Sequence, residues 1–280
     1  MSSTRIMRWS AALASVLALS AVAAQADQRD RDRWDRGSRG PDRLVYATTS
    51  QNQLISFNAR NPERIKTVTS ITGTNGATLR GIDFRPKTGD LYGVGSDNIV
   101  YRVNPTTGIA IAEGPAFTPA LNGRAFGVDF NPAADALRVV SDAQQNLRLA
   151  PDAGTATQDM NLNPGMPQVV AAGYENSSFS FTPPAATTLH VVDAATDTLF
   201  TQTPPNNGTL VNPRKLRLDV GLNAGFDIAG DDNMGLLSNA RTGRGTELYT
   251  VDVPTGKTKS LGRIGGGKRL VVTGLAAWQD

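Results

Sequence analysis

From Leu44 onward the apolar residues fall in short runs with the two-residue alternation of half-buried strands, rich in Val, Ile, Tyr and Phe, and no stretch repeats every three to four residues as a helix would. LVYATT, QLISFN and IKTVTSI come first, with turns predicted at Ser50 to Asn52 and at Asn61-Pro62. A set of four follows from Leu79: LRGIDF, DLYGVG, NIVYRV and GIAIAE. The next set reads AFGVDF, ALRVVS, NLRLAP and a weaker fourth strand, and then the irregular Thr157 to Gln168. From Val169 the strands are VVAAGYE, SFSFT, TLHVVDA and TLFTQT, closed by Pro204 to Gly208, where Asn207-Gly208 is a hairpin signal. From Asn223 they are AGFDIA, MGLLSN, TELYTVDV and TKSLGRI, and the chain finishes on LVVTGLAAW. Gly, Pro, Asn or Asp stands in the breaks, where tight turns need a preset or positive φ.

These sets repeat. GIDFRPKTGDLYGV at Gly81 returns at Gly127 as GVDFNPAADALRVV, and reduced forms begin at Gly173, Gly225 and Gly274, in steps of 46, 46, 52 and 49 residues. Four short strands per repeat at this period describe propeller blades. The lone strand at Gly274 and the three unpartnered strands after Leu44 together make one more blade. The sequence therefore predicts an all-β, five-bladed β-propeller closed by pairing of the N- and C-terminal strands, spanning residues 44–280 as a single domain.

Ahead of it, Arg5 and Arg8 precede an apolar run from Ala11 to Ala24 and the small-x-small Ala24-Gln25-Ala26, the form of a cleavable export signal over residues 1–26. Residues 27–43 alternate Arg and Asp with one aromatic and no aliphatic side chain, so they read as a disordered charged linker. Trp34-Asp35 lies there, outside any strand pattern. The expected location is periplasmic or secreted, with no membrane span once the signal is cleaved. The net charge of +3 arises in these two segments, leaving the repeat region formally neutral and giving no ground for nucleic-acid binding. With no cysteine, the fold relies on its core, and thiol chemistry is excluded.

LRGIDFRPKTGDLYGV, GVDFNPAADALRVVSDAQQNLRLAPD, VVAAGYENS, TLHVVDAATDTL with PPNNGTL, and GFDI together resemble a family of secreted bacterial domains catalogued as domain of unknown function 4394. The resemblance runs from Leu44 to Trp278 and implies export and a propeller-like fold, with no activity or ligand to carry over. Single blades also look like those of six-bladed lactonase and strictosidine-synthase-type propellers.

Two positions after the repeated glycines stand Asp83, Asp129, Glu175 and Asp227, with Ala276 in the fifth copy. Equal register places the four acids on equivalent faces of related strands. If those strands line an axis, the carboxylates form an oxygen-only cation site suited to Ca²⁺. The competing expectation is that each acid caps backbone N–H groups of the adjacent turn or pairs with Arg80, Arg124 or Arg138.

Other motifs are weaker. GRIGGGK at Gly262 to Lys268 has phosphate-loop spacing, but Arg269 replaces the metal-binding hydroxyl and a strand follows where a helix is needed. His190, the only histidine, shares a strand with Asp193 on the opposite face and has no serine elbow to serve. Asp231-Asp232-Asn233 lacks the alternating spacing of a calcium loop and reads as a turn. Tyr92, Tyr101, Phe126, Phe179, Phe181, Phe200 and Trp278 fall at strand positions and are expected between blades. The functional expectation is a non-enzymatic module that binds a protein or small ligand through loops such as Thr157 to Gln168 and Pro204 to Leu210. The alternative is a metal-assisted hydrolase of lactonase type built on the axial acids.

Overall fold

The computed structural model describes residues 40–278 apart from 229, 231 and 268. Its strands form five four-stranded antiparallel sheets arranged as blades. Blade one joins β20 (Val272–Ala277) to β1 (Leu44–Thr49), β2 (Gln53–Asn58) and β3 (Asn61–Ser70), in that order from the axis outward. Blade two is β4 (Leu79–Phe84), β5 (Leu91–Gly95), β6 (Val100–Val103) and β7 (Ala110–Ala112). Blade three is β8 (Phe126–Asn131), β9 (Ala136–Ser141), β10 (Asn146–Ala150) and β11 (Thr155–Gln158). Blade four is β12 (Val169–Tyr174), β13 (Leu189–Asp193), β14 (Thr198–Gln202) and β15 (Leu210–Lys215), and blade five is β16 (Ala224–Ile228), β17 (Gly235–Arg241), β18 (Gly245–Asp252) and β19 (Lys257–Arg263).

The predicted closure is present. Val45 to Thr48 pair antiparallel with Gly274 to Ala277, so the last strand supplies the innermost member of the first sheet and no edge is left between blades five and two. The innermost strands neighbour one another in the cycle β4, β8, β12, β16, β20. Apolar side chains fill the spaces between the blades. Tyr92 and Val94 of blade two pack with Val128, Phe130 and Leu137 of blade three. Leu54 and Ala276 of blade one pack with Ile82 and Phe84 of blade two. Each of the five blade-to-blade interfaces has such a cluster. The recurrent glycines permit this approach: a Cβ on Gly81 would stand 2.4 Å from Val128 Cγ2, and one on Gly127 would stand 2.6 Å from the Ala171 backbone.

Blade four departs from expectation. Ser178 to Thr182 (SFSFT) is not a strand but part of a long connection between β12 and β13. The fourth strand is LVNPRK, Leu210–Lys215, where Pro213 is tolerated because β15 is the outer edge. Asn61-Pro62 opens β3, and the turn is Ala59-Arg60. The export signal and most of the linker lie outside the described residues. Gly40 to Arg43, assigned to the linker, lie against the ring: Ala59 N–H donates to the Arg43 carbonyl, Asn58 donates to Asp42, and the Arg43 side chain is buried near Asp232 at 3.5 Å.

Candidate functional site

The repeated acids sit near the ends of the innermost strands, where each N–H directed at the axis lacks a partner within its own sheet. Asp83 Oδ2 accepts the Phe130 N–H of the next blade at 2.7 Å. Asp129 Oδ1 accepts Tyr174 N–H at 2.9 Å, and Asp227 Oδ2 accepts Ala277 N–H at 2.6 Å. Each bond runs from one blade to the following one, so the carboxylates staple neighbouring inner strands together. Asp83 Oδ1 also accepts Phe84 N–H at 2.7 Å, a group that the preceding blade, with Ala276 in place of an acid, cannot satisfy.

This pattern fixes the true register. Phe130, Tyr174 and Ala277 are equivalent, so the residues before them, Asp129, Gly173 and Ala276, are equivalent too. Blade four therefore presents Gly173, not Glu175, at the acid position, and its axis-lining residue is Ala171 beside Gly81, Gly127, Gly225 and Gly274. The expected four-acid cluster is corrected to three. Oxygens of Asp83, Asp129 and Asp227 lie within 4.8 Å of one another, and all three residues are about 1% exposed. Glu175 lies just past β12 with its carboxylate 2.9 Å from His190 Nε2.

The arginines weighed as partners do not reach the axis: Arg138 binds Asp159 at 2.7 Å, Arg124 lies 3.5 Å from Asp142, and Arg80 is exposed. The acids do cap backbone N–H groups, but apart from Phe84 these belong to the inner strand of the next blade and not to the adjacent turn. Burial drives the Asp83 carboxyl well above the usual carboxylate range, and the Asp227 charge adds to it. Burial does the same to Asp129, helped by Asp83 and Asp227. Asp227 is raised to about 6 by burial, against the pull of the Ala277 and Ile228 N–H groups and of Arg43.

The 175–188 connection covers this end of the axis. Ser180 N–H donates to Pro86 O in the turn after β4, and Phe179 lies over Gly89 of that turn. Asn176 N–H donates to Asn233 in the turn after β16, and Gly230 of that turn abuts the Ser177 backbone. Reaching from blade four to both blade five and blade two requires crossing the axis. The connection carries Phe179 and Phe181 in edge contact at 5.8 Å, 44% and 81% exposed. Both were expected between blades, as was Trp278, which is 36% exposed against Phe84. Tyr92, Tyr101 and Phe126 are buried as expected, and Phe200 is half-buried against the core. Beneath the acids, the channel among the glycines encloses about 10 Å³, room for one water.

His190 is buried and accepts at Nδ1 from Arg214 at 3.1 Å, so Nε2 carries the proton and donates to Glu175. That bond holds the Glu175 carboxyl below its ordinary value. Asp193 receives Gln168 N–H and the Thr196 hydroxyl instead, consistent with no relay to His190. The glycine loop at Gly262 connects β19 to β20; Gly265 N–H donates to Pro62 O, and the element that follows is the strand β20. It borders an open cleft of about 440 Å³ with Glu63, Glu247 and Arg263. Asn233 has φ of 51°, as a turn residue, while Asp231 lies outside the described residues.

The loops expected to recognise a partner are joined to each other. Met160 N–H donates to Asn206 O, Asn163 N–H to Gly208 O and Leu210 N–H to Asn163 O, and the buried Arg138 binds Asn206 from below at 2.8 Å.

No curated protein matches the chain. Among solved structures it is similar to a structural genomics protein of unknown function from Bacteroides thetaiotaomicron VPI-5482, with TM-score 0.47, 12% identity and coverage of 80% of this chain and 59% of that one. It is similar also to TolB from Acinetobacter baumannii, with TM-score 0.44, 11% identity and coverage of 80% and 54%. A third is a Dos1 propeller, with TM-score 0.40, 12% identity and coverage of 78% and 58%. The chain spans less than two thirds of the length of each, and these likenesses carry no functional argument. The family model described as domain of unknown function DUF4394 matches residues 53–276, and the chain belongs to that family.

Proposed function

We propose that this propeller is an exported, non-enzymatic binding module that engages a protein partner through the joined loops 159–168 and 203–209. The observation that carries the reading is that these loops, from neighbouring blades, are tied by three backbone hydrogen bonds and present Met160 and Met166 at 64% and 81% exposure. Exposed apolar side chains on a pre-ordered ledge favour association, because little entropy is lost when they are covered. Methionine suits such a surface through its flexible, polarisable side chain. The hydrolase alternative is disfavoured by burial, since the 175–188 connection stands between the acids and any substrate carbonyl.

The test compares the unmodified protein with a Met160→Ser/Met166→Ser variant as immobilised bait for cell-envelope extract. A discrete component retained by the first and lost by the second, at equal melting temperature, supports the proposal. Identical retention by both removes these loops from the reading.

A further inference from the structure

We propose that the acid end of the axis binds one Ca²⁺ ion through Asp83, Asp129 and Asp227, an ion that ties blades two, three and five together. This does not depend on the partner-binding reading. One oxygen from each residue lies within 4.8 Å of the others. Three oxygens all 4.8 Å apart have a common centre about 2.8 Å from each, and shifts of a few tenths of an ångström bring them to the 2.3–2.6 Å of Ca²⁺ coordination.

A second observation points to a missing ligand. Asp227 spends Oδ2 on Ala277, while Oδ1 is buried and accepts no hydrogen bond. The neighbouring Ile228 N–H favours its charge without making a hydrogen bond of ordinary geometry to Oδ1. A buried carboxylate oxygen that accepts no hydrogen bond is a rare and unfavourable arrangement, and a cation would satisfy it. The N–H bonds on Asp83 and Asp129 do not block coordination, since each carboxylate oxygen has a second lone pair.

Charge favours the same occupant. Three ionised acids around a divalent cation leave one negative charge, and the buried Arg43, whose charge acts on Asp227, offsets it. Ca²⁺ fits better than Mg²⁺. Ca²⁺ accepts bidentate carboxylates in a flexible geometry, so three acids and one water can fill most of its sphere, whereas Mg²⁺ demands a strict octahedron with several waters and the adjoining channel has room for one.

The competing state is a set of acids that share protons and bind no metal. Purified protein is dialysed against EDTA and then buffer at about pH 7.5, where ligand carboxylates are available for metal. Calcium binding is counted by metal analysis, and melting temperature is followed during titration with CaCl₂ or MgCl₂. The expected result is one Ca²⁺ per chain and a rise of roughly 5–10 °C at a concentration a hundred times the dissociation constant. MgCl₂ should give a smaller rise. Asp129→Asn keeps an oxygen for Tyr174 N–H and should abolish the rise, while Glu175→Gln, outside the cluster, should retain it. If Asp129→Asn does not fold, Tb³⁺ luminescence on the unmodified protein, displaced by Ca²⁺, takes its place as the supporting result. No retained calcium and no thermal shift at millimolar CaCl₂, or a shift that persists in Asp129→Asn, overturns the proposal.

Discussion

With divalent ions removed, the ring should become less stable as pH rises, opposite to the behaviour of a protein held by salt-bridged carboxylates. Asp227 titrates at about 6 in the folded chain, against roughly 3.9 when unfolded. At pH 3 both forms hold the proton. Between the two values the unfolded chain has released it and the folded chain has not, so each step upward in pH favours unfolding. The loss from Asp227 is complete above its folded value. Two units correspond to about 3 kcal/mol, and Asp83 and Asp129, displaced in the same direction, extend the decline to higher pH. For a domain of this size that is a fall of roughly 6–12 °C in melting temperature. The assay is thermal unfolding by circular dichroism in EDTA at several pH values from about 4 to 8, for the unmodified protein and for Asp227→Asn. The amide retains an oxygen for Ala277 N–H and removes the charge, so the variant's curve should be much flatter. A melting temperature that stays level or climbs over this range, or an equal slope in the variant, would refute the electrostatic account.

Two further outcomes follow from packing and charge. Arg85, 4% exposed, binds Asp135 at 2.7 Å and Asp152 at 2.5 Å on blade three, and removing it should loosen the interface between blades two and three. Arg85→Ala is expected to lower stability by about 2–3 kcal/mol, read as a reduced urea midpoint at unchanged slope. Gly127→Ala forces a methyl group into the Ala171 and Ala172 backbone, which cannot yield as a side chain would. It should lose about 1–3 kcal/mol, whereas Gly267→Ala, with nothing within 4 Å, should change stability by less than about 0.5 kcal/mol.

The ring was legible because its rule is local. A very small residue is needed wherever five inner strands crowd one axis, and Gly81, Gly127, Gly225 and Gly274 mark four of them. Blade four uses Ala171, so Gly173 two residues later drew the reading out of register and carried Glu175 into the cluster with it. The signal that fixes the register is the N–H of Tyr174 meeting Asp129, a contact between residues 45 apart that no local pattern records. Phe179 and Phe181 imitate a strand because the alternation of SFSFT is right, but Pro183 and Pro184 follow and the segment joins no β-ladder, making one backbone bond to the turn at Pro86 instead. LVNPRK was passed over for the converse reason: Asn212 at φ of 51° and Pro213 spoil a pattern that an outer strand can tolerate. Arg43 is hidden by composition, since it ends a run that reads as linker, yet its side chain is buried 3.5 Å from Asp232 and its charge acts on Asp227.

The seam at blade one orders events in time. A ribosome delivers β1 long before β20, so throughout synthesis the first sheet waits with an unsatisfied inner rim, a template for stray strands. Partners separated by more than two hundred residues must meet before the disc is whole, which makes joining them a slow step. Until that meeting the chain has no finished ring, and its stability is that of separate sheets rather than of a closed disc.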